Sequence, residues 1–142
     1  MTIVFFARQD ILIAVMTTAS KTKSVAVVDD DELVRIALQR LLKAAVLGVA
    51  SFASAEDLLR SGQLPEIACL IVDIRMPGMS GLDLQTKLKA ESPVPTIFIT
   101  AHGDEKMRLQ AMRAGAVAFL AKPFDSGILL DRIRAALESM SS

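Results

Sequence analysis

Short apolar runs, three of the five closing on a polar residue and each followed by a segment of helical periodicity, constrain this 142-residue chain more than any other feature. The runs are Ser24–Asp29 (SVAVVD), the weaker Val46–Ala50, Ala68–Asp73 (ACLIVD), Pro95–Thr100 (PTIFIT) and Val117–Leu120. They are rich in β-branched residues and lack strict polar alternation, as expected of strands covered on both faces. Helices are expected between and after them. The first runs from an N-cap at Asp30 or Asp31 through Ala45, with Leu33, Ile36, Ala37, Leu41 and Ala44 at helical spacing. A short second helix opens at Ser54, with Asp57 completing a capping-box-like start, and ends near Gly62. The others cover Gly81–Glu91, Asp104–Ala114 with Gly115 as cap, and Asp125–Met140 with Ile128, Leu129, Ile133, Ala136 and Leu137 on one face. Such strand–helix alternation gives an α/β fold, a doubly wound five-stranded parallel sheet with five helices on its two faces.

The length suits a single domain that folds without disulfides, and the lone cysteine, Cys69, forbids an internal disulfide and fits a reducing, cytoplasmic setting. Sixteen basic residues balance sixteen acidic ones, which argues against direct nucleic-acid binding by this chain. No apolar run approaches the ~18–20 residues of a membrane span. Residues 1–23 differ from the rest: Arg8, Gln9 and Asp10 split two apolar pieces, which is unlike a secretory signal. Two readings of this extension stay open. Either Met16 is the natural start, or the extension is an extra strand or short helix that docks on the domain or a partner.

In doubly wound folds ligands bind beyond the carboxyl ends of the strands. The residues at those ends are Asp29 and Asp30, Asp73, Thr100 and, just past the fifth run, Lys122. Helix capping accounts for one acid of the Asp29–Asp30–Asp31 run but not for three, because adjacent carboxylates repel. A hard divalent cation such as Mg²⁺ relieves that repulsion with oxygen ligands. A carboxylate at Asp73 is placed either to start the Met76–Pro77–Gly78 turn or to act as a ligand or nucleophile toward phosphorus. Thr100 offers a hydrogen bond to a phosphoryl oxygen, and Lys122 a counter-charge for phosphate. Lys122 precedes Pro123, so this bond adopts the cis form far more readily than most. His102 is the only histidine, which leaves a zinc site or a Ser/His/Asp triad poorly supported. The glycines form neither a P-loop nor a dinucleotide fingerprint.

VVDDDELVR (27–35), LIVDIRMPGMSGLDL (70–84), IFITAHGD (97–104) and AVAFLAKPF (116–124) occur in order at these strand ends. Together they resemble the receiver domain of bacterial two-component response regulators over about residues 24–140, closest in flavour to nitrogen-fixation-type regulators. The resemblance implies a CheY-like fold with flavodoxin-like strand order 2-1-3-4-5. It makes Asp73 the phospho-accepting aspartate, and gives the Mg²⁺ site to Asp29, Asp30, Asp73 and the Arg75 carbonyl. Asp30 would be a direct ligand and Asp29 would act mainly through water. Thr100 becomes the switch hydroxyl and Lys122 the partner of the phosphoryl group. Phe119 becomes the switch aromatic, without the hydroxyl of the tyrosine that many receivers carry. Arg75 and His102 would flank the site and tune dephosphorylation.

The implied partner is a sensor histidine kinase, with output through the face of the fourth helix, fifth strand and fifth helix, by homodimerisation or another contact. Nitrogen-fixation regulators of this flavour carry a DNA-binding output domain, and the sequence ends at Ser142 without one, which suggests a shuttle, a kinase-binding regulator or an excised receiver. Two other readings remain at this stage. A metal-dependent phosphohydrolase also uses strand-end aspartates, but wants a general-acid Asp two residues after the nucleophile, where this chain has Arg75. A receiver-like interaction module that never takes phosphate is the other. It would have no need of Asp29, Asp30, Asp73, Thr100 and Lys122 together.

Overall fold

The computed structural model describes residues 24–101 and 104–141. The expectations for residues 1–23 and for His102 therefore lie outside the described residues. The strands are β1 (Ser24–Val28), β2 (Val49–Phe52), β3 (Ile67–Val72), β4 (Thr96–Thr100) and β5 (Ala118–Ala121). The α-helices are α1 (Glu32–Ala44), α2 (Ala55–Arg60), α3 (Gly81–Glu91), α4 (Glu105–Arg113) and α5 (Ser126–Ser141). A short 3₁₀ turn at Leu64–Glu66, absent from the sequence reading, leads into β3. The sheet order is β2-β1-β3-β4-β5 and every pairing is parallel, as the doubly wound reading requires.

Alternate residues of the central strands feed two cores. Ala26, Val28, Leu70, Val72 and Phe98 pack with Leu58 of α2, Leu84 and Leu88 of α3 and Ala111 of α4. Val25, Val27, Cys69, Ile71, Ile97 and Ile99 pack with Leu38 and Leu42 of α1 and Leu129 and Ile133 of α5. Helices α2, α3 and α4 thus cover one face of the sheet, and α1 and α5 the other. Side-chain caps fix the helix starts: Asp31 accepts from the Leu33 amide, Ser54 from Asp57 and Asp104 from Met107. Ser80 and Asp83 form a reciprocal capping box at α3.

The structure corrects the apolar face of α1. Leu33, at 75% exposure, is on the outside together with Ile36, Ala37 and Ala44, whereas Leu38 and Leu42 are fully buried and Val34 and Leu41 half-buried. The helix carries two adjacent apolar stripes, both with helical spacing, and only the position of the sheet and α5 decides which one is covered. Ile128 is likewise 47% exposed although the rest of its expected face on α5 is covered. β2 begins at Val49 rather than Val46 because α1 ends in a Schellman-type turn. In that turn the Val46 amide donates to Lys43 O and the Leu47 amide to Leu42 O, each at 2.9 Å.

That turn puts Val46 at φ 61°, in the left-handed region, with its side chain 91% exposed. A β-branched residue there is strained and gains nothing from packing. Val46→Gly should stabilise the domain by about 1 kcal/mol, the strain relieved exceeding the added chain entropy of glycine. Urea unfolding would show this as a higher midpoint at unchanged slope, and an equal or lower midpoint would contradict it.

Candidate functional site

The sheet presents the carboxyl ends of β1, β3, β4 and β5 along one edge. Asp29 follows β1 and is buried at 1% exposure, fixed on both sides by backbone geometry. Its amide donates to Phe52 O at the end of β2, and its Oδ1 accepts from the Asp31 amide at 2.9 Å. Asp73 follows β3, and its amide donates to Val28 O at 3.0 Å, so the two acids are tied to neighbouring strand ends. Asp30 is exposed beside them. One carboxylate oxygen from each of Asp29, Asp30 and Asp73 lies within 4.8 Å of the others, a set of hard donors suited to a divalent cation.

Lys122, just past β5, extends over β4 to this cluster. Its Nζ stands 2.9 Å from Asp29 Oδ2 and 3.3 Å from Asp73 Oδ2. The Lys122 amide bonds to Thr100 O, and the Lys122–Pro123 peptide is cis. Burial alone would weaken the Lys122 ammonium, but the hydrogen bond and charge of Asp29, followed by those of Asp73, outweigh it and hold its pKa above the ordinary value. Asp29 is raised from its ordinary 3.8: burial dominates, and the bonds from Lys122 and the Asp31 amide offset it only in part.

The remaining sequence-derived residues fall around this cluster. Thr100 ends β4 and is buried at 1% exposure. Arg75 lies two residues beyond Asp73; its amide points to Asp73 Oδ1 at 3.3 Å and its guanidinium reaches Met107 Sδ at 3.5 Å. Phe119 sits in the middle of β5 rather than at its end, half-buried, with its ring centroid 6.4 Å from that of Phe98.

Three further residues shape the edge without having been singled out from the sequence. Arg35 of α1 donates to the Asp29 carbonyl at 2.7 Å and holds that strand end. Gly81 opens α3 against the backbone of β3, where any Cβ would collide with the Asp73 carbonyl oxygen. Glu56 of α2 accepts from the Met79 amide at 2.8 Å. Arg35 and Gly81 stand inside the motifs quoted above, so position within those motifs was an available signal; Glu56 had none beyond being a first-turn acid.

The sequence that builds this sheet and its edge matches the family model for the response regulator receiver domain over residues 25–134. The chain belongs to that family. It is the receiver domain of two-component response regulators. Nodulation protein W of Bradyrhizobium diazoefficiens is 46% identical over 123 residues, which are 86% of this chain and 54% of that protein. The transcriptional regulatory protein FixJ of Azorhizobium caulinodans is 40% identical over 114 residues, 80% of this chain and 54% of the relative. Among solved structures, FixJ-N superposes with a TM-score of 0.73 at 39% identity, covering 82% of this chain and 94% of that one. The response regulator StyR superposes with a TM-score of 0.76 at 47% identity, covering 82% and 60%. The receiver spans about half the length of these curated relatives. Among the described residues no helix is long and apolar enough to cross a membrane.

The raised Asp29 pKa has a definite sign for stability. Folding disfavours the ionised carboxylate, so its contribution is fully present below the ordinary 3.8 and is lost as the pH rises through the raised value. Asp29→Asn keeps an acceptor for Lys122 without the charge. In EDTA at pH 7 this variant should unfold at a higher temperature than the unsubstituted receiver, and the gap should close on acidification toward pH 4. A variant that is less stable at neutral pH would show that the attraction to Lys122 outweighs burial.

Proposed function

We propose that this receiver accepts a phosphoryl group on Asp73 from the phosphohistidine of a sensor histidine kinase, in a Mg²⁺-dependent reaction, and that the resulting change of state controls a partner or output. The observation that carries this reading is Lys122 Nζ held between Asp29 Oδ2 and Asp73 Oδ2 with Asp30 alongside. That arrangement supports a role for Asp73 as nucleophile, with a counter-charge and hard oxygen donors beside it on one edge of the sheet.

Asp29, Asp30 and Asp73, with the Arg75 carbonyl, would hold Mg²⁺, which when bound supplies neutralisation of phosphoryl oxygen charge. A carboxylate oxygen of Asp73 attacks phosphorus in line, the P–N bond to the kinase imidazole breaks, and the leaving imidazole takes up a proton. Lys122, already within reach of Asp73 Oδ2, transfers its hydrogen bond to a phosphoryl oxygen. The added negative charge favours the state in which the Thr100 hydroxyl moves toward the phosphoryl group and Phe119 turns inward behind it. This biases a pre-existing equilibrium and reshapes the α4–β5–α5 face.

The exposed apolar residues Leu33 and Ile128 begin α1 and α5 at the same sheet edge, which supports kinase docking there. Leu109 of α4, 38% exposed, supports output through the α4–β5–α5 face, including by homodimerisation. In this reading residues 24–140 are the receiver unit and 1–23 an extension, and the domain works in the cytoplasm. It is a signalling phosphoacceptor that catalyses only its own phosphorylation and dephosphorylation, with Arg75 and His102 tuning the latter.

Intact-mass spectrometry after incubation with acetyl phosphate tests the chemistry. A gain of one phosphoryl group that needs Mg²⁺ and disappears in Asp73→Asn is the expected result. If neither acetyl phosphate nor a phosphorylated histidine kinase adds mass to the folded protein, the domain is an interaction module that takes no phosphate.

A further inference from the structure

The connection from β3 to α3 carries Asp73 and Arg75 at its start and is tied down at three places. At its far end the Gly81 amide donates to Ile74 O at 2.9 Å, and Gly81 leaves no room for a side chain against the Asp73 carbonyl. Near its start the Arg75 amide points back to Asp73 Oδ1. Its middle is held from another element. Glu56, in the first turn of α2, sends Oε2 to the Met79 amide at 2.8 Å, across 23 residues of sequence. Gly78, at φ 77°, lies under the same carboxylate, since a Cβ built there would stand 2.6 Å from Glu56 Oε2. The Met79 amide is also the main reason the Glu56 carboxyl is held below its ordinary range.

A first-turn acid that merely favours the α2 dipole would explain why residue 56 is acidic. It would not explain why the carboxylate lies on the backbone of a different loop. Neighbouring Asp57 supplies the contrast, because its carboxylate turns to Arg60 within α2 at 2.7 Å.

We propose that Glu56 is a positioning residue for the phosphoacceptor end of β3: by fastening Gly78 and Met79 it fixes the loop that begins with Asp73 and Arg75, and so sets how tightly this edge holds a divalent cation. The proposal rests on the reading of Asp29, Asp30, Asp73 and the Arg75 carbonyl as a Mg²⁺ site. Glu56 acts from outside the ligand set, as outer partners that orient metal ligands do.

The test compares the unsubstituted domain with Glu56→Ala, Glu56→Gln and Asp57→Ala in two NMR measurements. Amide hydrogen exchange at Met79 without metal reads the fastening itself, and MgCl₂ titration of backbone amide shifts reads cation affinity. Glu56→Ala should speed exchange at Met79 and weaken Mg²⁺ binding by about three- to tenfold, at or below the low end for loss of an outer partner. Glu56→Gln keeps an oxygen acceptor and should stay within about twofold. Asp57→Ala removes a nearby charge but no contact with the loop, and should leave the affinity unchanged. Unaltered Met79 exchange in folded Glu56→Ala overturns the fastening. Faster exchange with unaltered Mg²⁺ affinity overturns its role at the site. A matching loss of affinity in Glu56→Gln and Asp57→Ala overturns the proposal in favour of long-range charge alone. If the unsubstituted domain shows no Mg²⁺-dependent shifts, the metal reading beneath the proposal fails, whatever the exchange rates.

Discussion

Three carboxylates within 4.8 Å of one another repel, and burial removes much of the water that would screen Asp29 and Asp73. The Lys122 ammonium, 2.9 Å from one and 3.3 Å from the other, is what makes their convergence tolerable. It comes from β5 and meets groups that follow β1 and β3, so a single cation ties together strands that are not neighbours. The pair of shifts describes the balance: Asp29 stays raised despite the lysine, and Lys122 stays raised despite its burial. The cluster is therefore held together without being neutralised. One ammonium against three carboxylates leaves the edge net negative, a charge that a divalent cation would offset under the proposed function.

Backbone packing keeps this unfavourable arrangement from relaxing. Asp29 and Asp73 each accept their place from the adjacent strand, through amide bonds to Phe52 O and Val28 O. Beneath them the strands are covered on both faces, with Val28 and Val72 turned to one core and Val27 and Ile71 to the other. α3 then abuts the Asp73 backbone through Gly81, so the Asp73 end of β3 cannot retreat toward the helix layer. Moving the backbone of Asp29 or Asp73 away from the other would require breaking these sheet bonds.

The parts of this architecture that depend on local pattern were readable from the chain. The apolar runs ending in Asp29, Asp73 and Thr100 mark strand ends, and parallel strands with helical connections send all those ends to one edge, so convergence of Asp29, Asp30, Asp73 and Lys122 follows from topology. What could not be read depends on three-dimensional neighbours. Two apolar stripes on α1 satisfy the same periodicity, and burial of Leu38 and Leu42 rather than Leu33 and Ile36 is decided by where α5 and the sheet lie. The start of β2 was displaced because Val46 takes a left-handed conformation that glycine would normally advertise. Glu56 and Arg35 act on backbone atoms of other elements, and a backbone acceptor or donor leaves no trace in the sequence. The switch roles expected of Thr100 and Phe119 came from family resemblance, since residue chemistry offered only a phosphoryl hydrogen bond at Thr100 and nothing at Phe119.

Phe119 gives the proposed switch a particular energetic character. Its ring is half-buried against Phe98, tilted by 51°. A tyrosine turning inward would carry a hydroxyl that must find a partner or incur a desolvation penalty of about 1–3 kcal/mol. Phenylalanine has no such group, so the inward and outward positions differ mainly in how much apolar surface meets water, at roughly 25 cal/mol per Å². Apolar burial by itself favours the inward ring, and the packing lost against Phe98 opposes it. A state balanced in this way is sensitive to a modest change at Thr100, because no polar bond at residue 119 has to be made or broken in step with it. Under the proposed function, the coupling from Asp73 to the α4–β5–α5 face would run through shape at residue 119, with the electrostatic share of the change left to Asp73, Lys122 and Thr100.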